Sequence, residues 1–245
     1  MILVAALLIC VGISYLLYRW IRKQNENKPG YSESCKTALK NGMITAFPVV
    51  GCALVLHILG NAAGLQNAHV LLREAYKDII LAAFLEEFFK YLFFRRVVRK
   101  TVCEYSWYDL TAFMVIVGLG FGMLESVEYM LVSGPGQLLV RGVLAMHGGF
   151  GFLMGYYYGK AKYTGKMKYL VLSFLLPFLM HGIYDYTLTE ELEAVSDVFI
   201  FIPVTIAMLA FVLLIRMIVF FRKAKNKEKF MMPLHTEQAE AVKNK

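Results

Sequence analysis

The chain predicts an all-α, polytopic membrane protein of about seven transmembrane helices, with its N-terminus outside and its C-terminus cytoplasmic. Three observations carry that expectation. Hydrophobic residues make up 58% of the 245, charged residues only 18%, and mean hydropathy is +0.55, outside the range of a soluble globule. Apolar runs close to the length that spans the hydrocarbon core as a helix recur at 2–20, 43–60, 79–94, 108–132, 138–159, 169–189 and 198–221. Basic residues gather in alternate connectors between those runs.

Taken in order, the first run has no basic residue before it, and Arg19, Arg22, Lys23, Lys28, Lys36 and Lys40 follow it. It reads as an uncleaved signal anchor with its N-terminus outside. The polar stretch 21–42 then connects to the second run. The third run is short and extends back through Leu71 to Tyr76, with Arg73 and Lys77 on its outer side and Arg95, Arg96, Arg99 and Lys100 on its inner side. No Lys or Arg lies in Ser133–Gln137 after the fourth run, whereas Lys160, Lys162, Lys166 and Lys168 follow the fifth. Acidic Glu190, Glu191, Glu193 and Asp197 follow the sixth, and Arg222, Lys223, Lys225, Lys227 and Lys229 follow the seventh. Every connector obeys the positive-inside rule. Residues 1–221 therefore read as one integral membrane domain and 222–245 as a basic cytoplasmic tail that touches anionic lipid.

Composition excludes several classes. Only four cysteines argue against a disulfide scaffold, and the lack of a CxxC pair argues against thiol redox chemistry and a structural zinc site. The net charge of +8 sits at the ends of apolar runs rather than on a soluble face, so the bilayer and not nucleic acid is the expected partner.

Ionisable residues inside spans are costly and normally face a cavity. Here they are Glu86, Glu87 and Lys90 in the third run, Glu125 with Tyr129 in the fourth, His147 in the fifth, and His181 with Asp185 in the sixth. Counted from the outer ends of the runs at ~1.5 Å per residue, Glu86, Glu125, His147 and His181 fall at one level, ~12–15 Å deep. Lys90 stands i+4 from Glu86 and i+3 from Glu87, so it is expected to neutralise one carboxylate and leave the other free. Asp185 can orient His181, and Tyr129 can donate beside Glu125, each at i+4 spacing. Glu128 reads as a partner behind the site or an outer-rim residue, Arg141 as a snorkelling residue, and Tyr156-Tyr157-Tyr158 as an interfacial belt. Glycines at 151, 155 and 159 form a small-xxx-small packing stripe.

Paired carboxylates with Lys, two His and another Glu suit activation of water and stabilisation of an oxyanion. No Gly-x-Ser-x-Gly elbow, Cys–His pair or His-Glu-x-x-His helix competes with them. The residues alone leave open a glutamate-based hydrolase, a Glu/His metal site, a transporter or proton relay, and a non-catalytic membrane protein.

Glu86-Glu87-x-x-Lys90, Gly120-Phe121-x-x-x-Glu125-x-x-x-Tyr129, His147-x-x-x-Gly151-x-x-x-Gly155 and His181-x-x-x-Asp185, each on its own helix and in that order, resemble the PrsW family of intramembrane proteases. The family is related to the CAAX prenyl proteases and bacteriocin-immunity membrane proteins. The resemblance covers about 78–189; Asp109 and Arg141 also fit it, while Ser126 stands where the family usually has Asn. It implies a glutamic-type endopeptidase of a bacterial plasma membrane, cutting a single-span membrane protein such as an anti-sigma factor near its extracytoplasmic end. In that reading Glu86 or Glu87 is the general base, and His181, His147 and Glu125 complete the catalytic set. Lys90, Tyr129 and Asp185 support them. No metal is expected; a zinc ion, if one bound, would take His147, His181 and Glu86.

Overall fold

The computed structural model describes residues 2–100, 104–132, 145–189 and 198–231. Its helices are α1 (Ile2–Lys23), α2 (Tyr31–Ala62), α3 (Val70–Ala75), α4 (Leu85–Lys100), α5 (Trp107–Val132), α6 (Met146–Thr164), α7 (Met167–Thr187), α8 (Val198–Lys223) and the short α9 (Glu228–Met231). A π-helical segment, Tyr76–Phe84, joins α3 to α4 into one long pass. The described chain thus makes seven long helical passes, and the protein is an all-α, multi-pass membrane protein.

Five of these helices, α1, α2, α5, α7 and α8, are long and apolar enough to cross a membrane. The other two passes, α3–α4 and α6, carry Glu86, Glu87, Lys90 and His147. The α3–α4 pass is divided by its π-helical segment into helices of 6 and 16 residues, and α6 carries Lys160 and Lys162 near its end.

At the centre stands α5: 83% of its apolar window is buried, against 17–28% for the other four apolar helices. Glycines let its neighbours approach. A Cβ on Gly151 of α6 would meet the Met114 carbonyl oxygen at 2.6 Å, and one on Gly155 would meet Thr111 Cα at 2.9 Å. One on Gly118 would overlap the backbone carbonyl of His147. These are the close backbone contacts that small residues permit between membrane helices.

Successive helices run antiparallel, because the ends expected inside the cell pack together. Tyr18 and Ile21 of α1, Tyr31 of α2, Phe94 of α4, Tyr108 of α5 and Phe221 of α8 belong to one core. A buried polar staple reinforces that end. Asp109 accepts from the backbone and hydroxyl of Ser106, both at 2.9 Å, from Asn25 at 3.1 Å and from Lys28. It closes a capping box at the start of α5 and ties the α1–α2 connector to it.

Several expected boundaries need correction. α2 begins at Tyr31, inside the stretch read as the polar 21–42 connector, because Tyr31, Cys35 and Ala38 form a fully buried stripe in the same core. A scan for apolar runs overlooks such an amphipathic turn. The fifth helix runs from Met146 to Thr164 rather than 138–159, with Ala145 in the left-handed region at φ 45° just before it. His147 is thus the second residue of α6, and it contacts Lys90 and Glu125 on the neighbouring helices. Tyr158 is no belt residue: it is buried, edge-on to Phe94 with centroids 5.1 Å apart. Part of the expected tail also folds back, since Phe230 of α9 is buried against Trp107 at 4.7 Å. Arg141, Cys103, the Ser133–Gln137 loop, the Glu190–Asp197 loop and residues 232–245 lie outside the described residues.

Candidate active site

Four helices bring the predicted residues together. Glu86, Glu87 and Lys90 open α4, where the π-helical segment ends; such segments are frequent at functional sites because the extra residue rotates the next turn of helix to a new facing. Glu125 comes from the outer third of α5, His147 from the first turn of α6, and His181 with Asp185 from the last two turns of α7. All seven are buried.

Lys90 is the hub. Its Nζ donates to Glu87 Oε1 at 2.7 Å, to Glu86 Oε2 at 3.3 Å and to His147 Nδ1 at 2.8 Å, which uses all three ammonium protons. The ammonium also lies 4.2 Å from the centre of the Phe121 ring, a favourable cation–π placement. Lys90 therefore engages both adjacent carboxylates, where the sequence spacing suggested that it would occupy one and leave the other free. The long lysine side chain reaches both because the two carboxylates turn toward it.

The lysine also fixes a tautomer. With Nδ1 of His147 accepting from Lys90, its Nε2 carries the hydrogen and donates to Glu125 Oε2 at 2.6 Å. On the other side, His181 Nδ1 donates to Glu87 Oε1 at 3.0 Å. Its Nε2 faces Asp185 Oδ2 at 3.1 Å and Glu86 Oε2 at 3.8 Å without a hydrogen bond of acceptable angle. The two imidazoles lie 5.3 Å apart, centre to centre, and Phe150 stacks on His181 at 5.2 Å.

Glu86 and Glu87 differ in what they face. Glu87 is fully buried, whereas Glu86 lines a cavity of about 520 Å³ whose wall includes Val49 and Ala53 of α2 and Phe121, Glu125 and Glu128 of α5. Tyr129 lines the same cavity and packs against Ala6 and Cys10 of α1. Ser126 turns back on its own helix, donating to the Gly122 carbonyl at 2.6 Å.

A metal could find ligands here. Ligand atoms of Glu86, Glu87, His147 and His181 all lie within 4.8 Å of one another, and Glu87 Oε2 and His181 Nε2 are buried without hydrogen-bond partners. Carboxylate and imidazole are donors that zinc accepts. The set adds Glu87 to the trio expected from the sequence. Phe121 and Phe150 are site walls that a search for ionisable groups does not find. Their positions, four before Glu125 and three after His147, were the available signal, since both spacings return to the same helix face.

Residues 34–216 match the family described as PrsW family intramembrane metalloprotease. The chain belongs to that family. The match reaches well beyond the 78–189 stretch that holds the motifs and takes in α2 and most of α8. Protease PrsW of Geobacillus kaustophilus is 32% identical over 188 residues, covering 74% of this chain and 77% of its own length. Protease PrsW of Oceanobacillus iheyensis is 37% identical over 147 residues, 57% of this chain and 67% of its own. That of Bacillus subtilis is 29% identical over 186 residues, 74% of this chain and 80% of its own. No solved structure matches the chain. As a PrsW family member the chain is a multi-pass membrane protease, and the transporter or proton-relay alternative falls away.

Proposed function

We propose that this chain hydrolyses a peptide bond of a single-span membrane protein at the Glu86–Glu87–His147–His181 cluster, with Glu86 as the general base. One observation carries the choice of Glu86: it lines the cavity, while its neighbour is sealed behind it. A base must reach the attacking water in the space where substrate sits.

In this reading Glu86 takes a proton from water as its oxygen attacks the substrate carbonyl carbon. The carboxylic acid so formed returns that proton to the leaving amine as the C–N bond breaks. His181 Nε2 stands 3.8 Å from Glu86 Oε2, so one water can touch both, with Asp185 Oδ2 3.1 Å away on the same nitrogen. Protonated there, it donates to the developing oxyanion. Glu87 and Asp185 hold its ring, Lys90 aligns both carboxylates, and Glu125 holds His147. The dry walls of Phe121 and Phe150 strengthen each of these interactions by excluding water.

The residues present fit a zinc ion, which Glu86, Glu87, His147 and His181 would hold; when bound it would supply a Lewis acid and a more acidic water. A purely glutamic site is favoured by Lys90, whose ammonium already contacts three of those four residues. Metal analysis of the purified protein separates the two. Stoichiometric zinc that is lost in His181→Ala, with chelation abolishing cleavage and zinc restoring it, supports the metal site. Full activity after exhaustive chelation supports the glutamic one.

The substrate must be locally extended, because carbonyls tied in intrahelical bonds cannot be attacked. A cut near the outer end of its transmembrane helix is expected from the position of the cluster in the outer halves of α5 and α7. Helix-breaking Gly or Pro placed there in the substrate should accelerate cleavage. A membrane-anchored anti-sigma factor is the substrate class we favour. Comparison of membrane proteomes from cells carrying the native protein and Glu86→Gln tests it: the substrate accumulates uncut in the variant, and no difference between the two rejects the proposal.

A further inference from the structure

A second cavity, of about 450 Å³, lies at the opposite end of the bundle from the candidate active site, between α6, α8 and α9. Arg216, Lys223 and Lys227 line it, its remaining wall is aromatic and aliphatic, and no acidic residue contributes. Among the described residues none of the three cations is paired with a carboxylate.

Arg216 is the informative residue. It lies within α8, seven residues before Lys223, so its Cα is ~10 Å deeper along the helix. A guanidinium at that depth is costly unless it snorkels to the interface or meets an anion. The chain beyond α8 adds a further wall there, and the three cations stay exposed along it. A 3-10 turn at Ala224–Asn226 folds α9 back, so that Lys227 and Phe230 roof the cavity. Phe230 is held edge-on by Trp107 and by Phe220, with centroids at 4.7 and 5.2 Å. Phe152 packs on Phe220 at 5.6 Å. Cations that mark only the cytoplasmic side need no such walls; these three converge on one space from two elements.

We propose that this cavity is a binding site for an anionic glycerophospholipid of the inner leaflet. The lipid phosphate sits among Arg216, Lys223 and Lys227, and an acyl chain runs along Phe152, Leu213 and Val219. Arginine's planar donor fork suits phosphate oxygens, and the phenols of Tyr156 and Tyr157 on the same wall add neutral donors. The volume falls within the ~300–1,000 Å³ range of ligand sites.

The test uses the full chain in detergent, titrated with phosphatidylglycerol or phosphatidylcholine and read by native mass spectrometry. The unmodified protein should prefer phosphatidylglycerol by at least about tenfold. Arg216→Gln/Lys223→Gln/Lys227→Gln should weaken that binding roughly a hundredfold, at about fivefold per cation. The charge-matched control Lys23→Gln/Lys40→Gln/Lys225→Gln, none of whose sites lines the cavity, should leave it unchanged. Should the cavity triple variant misfold, the exposed Lys227→Gln alone should still show its fivefold loss with an unaltered melting temperature. Equal losses in the cavity and control variants, or equal affinity for the two lipids, overturn the proposal. Displacement of bound lipid by excess inorganic phosphate also overturns it, because the site would then take a free anion. None of these readouts depends on proteolysis, so failure of the protease reading would not disturb them.

Discussion

Glu86 and Glu87 are adjacent in sequence, yet neutralising each should affect stability very differently. Glu87 is wholly buried and accepts from Lys90 at 2.7 Å and from His181 at 3.0 Å. Changing it to Gln keeps an acceptor but removes the charge that offsets a buried ammonium, and breaking such a pair costs about 3–4 kcal/mol. Glu86 meets Lys90 only at 3.3 Å and faces the cavity, so Glu86→Gln should cost about 1 kcal/mol. At ~2–4 °C per kcal/mol for a chain of this size, Glu87→Gln should lower the melting temperature by roughly 6–16 °C and Glu86→Gln by roughly 2–4 °C. The assay pairs thermal unfolding in detergent with cleavage of a tagged membrane substrate. Glu86→Gln should be nearly as stable as the native protein and inactive. If Glu86→Gln is as destabilised as Glu87→Gln, or cleaves normally while folded, the assignment of base and anchor is wrong.

Gly155→Ala should cost about 1–3 kcal/mol, because its Cβ would lie 2.9 Å from Thr111 Cα, whereas Gly12→Ala, with nothing within 4 Å, should be neutral or slightly stabilising; thermal melts of the two variants compare them directly. Asp109→Ala removes the acceptor shared by Ser106, Asn25 and Lys28 and should cost about 3 kcal/mol or more, read as reduced melting temperature with the cluster residues untouched. A cysteine introduced at exposed residue 128 should react with a membrane-impermeant thiol reagent applied outside, and one at exposed residue 96 only after the inner face is opened; reversed labelling would invert the topology.

Much of this was written in one dimension. A membrane solvent forces each span to satisfy its own backbone, so apolar runs announce helices, and the cost of a charge in hydrocarbon makes Glu86, Glu125, His147 and His181 conspicuous wherever they fold. Motif order and spacing then sufficed to name the family before any geometry was known. Spacing could not show which partners these groups choose. Lys90 binding three groups at once, His147 bridging it to Glu125, and Glu86 rather than Glu87 opening to a cavity all depend on where α4, α5, α6 and α7 cross. The early start of α2 and the late start of α6 were hidden for a related reason. Tyr31 and Cys35 are apolar only on the side that meets the core, and the left-handed Ala145 breaks a run that hydropathy alone reads as continuous. Period and composition are properties of the chain, but contact between helices is set by glycine-sized gaps such as those at Gly118 and Gly151, and only the folded bundle decides which side chains those gaps bring face to face.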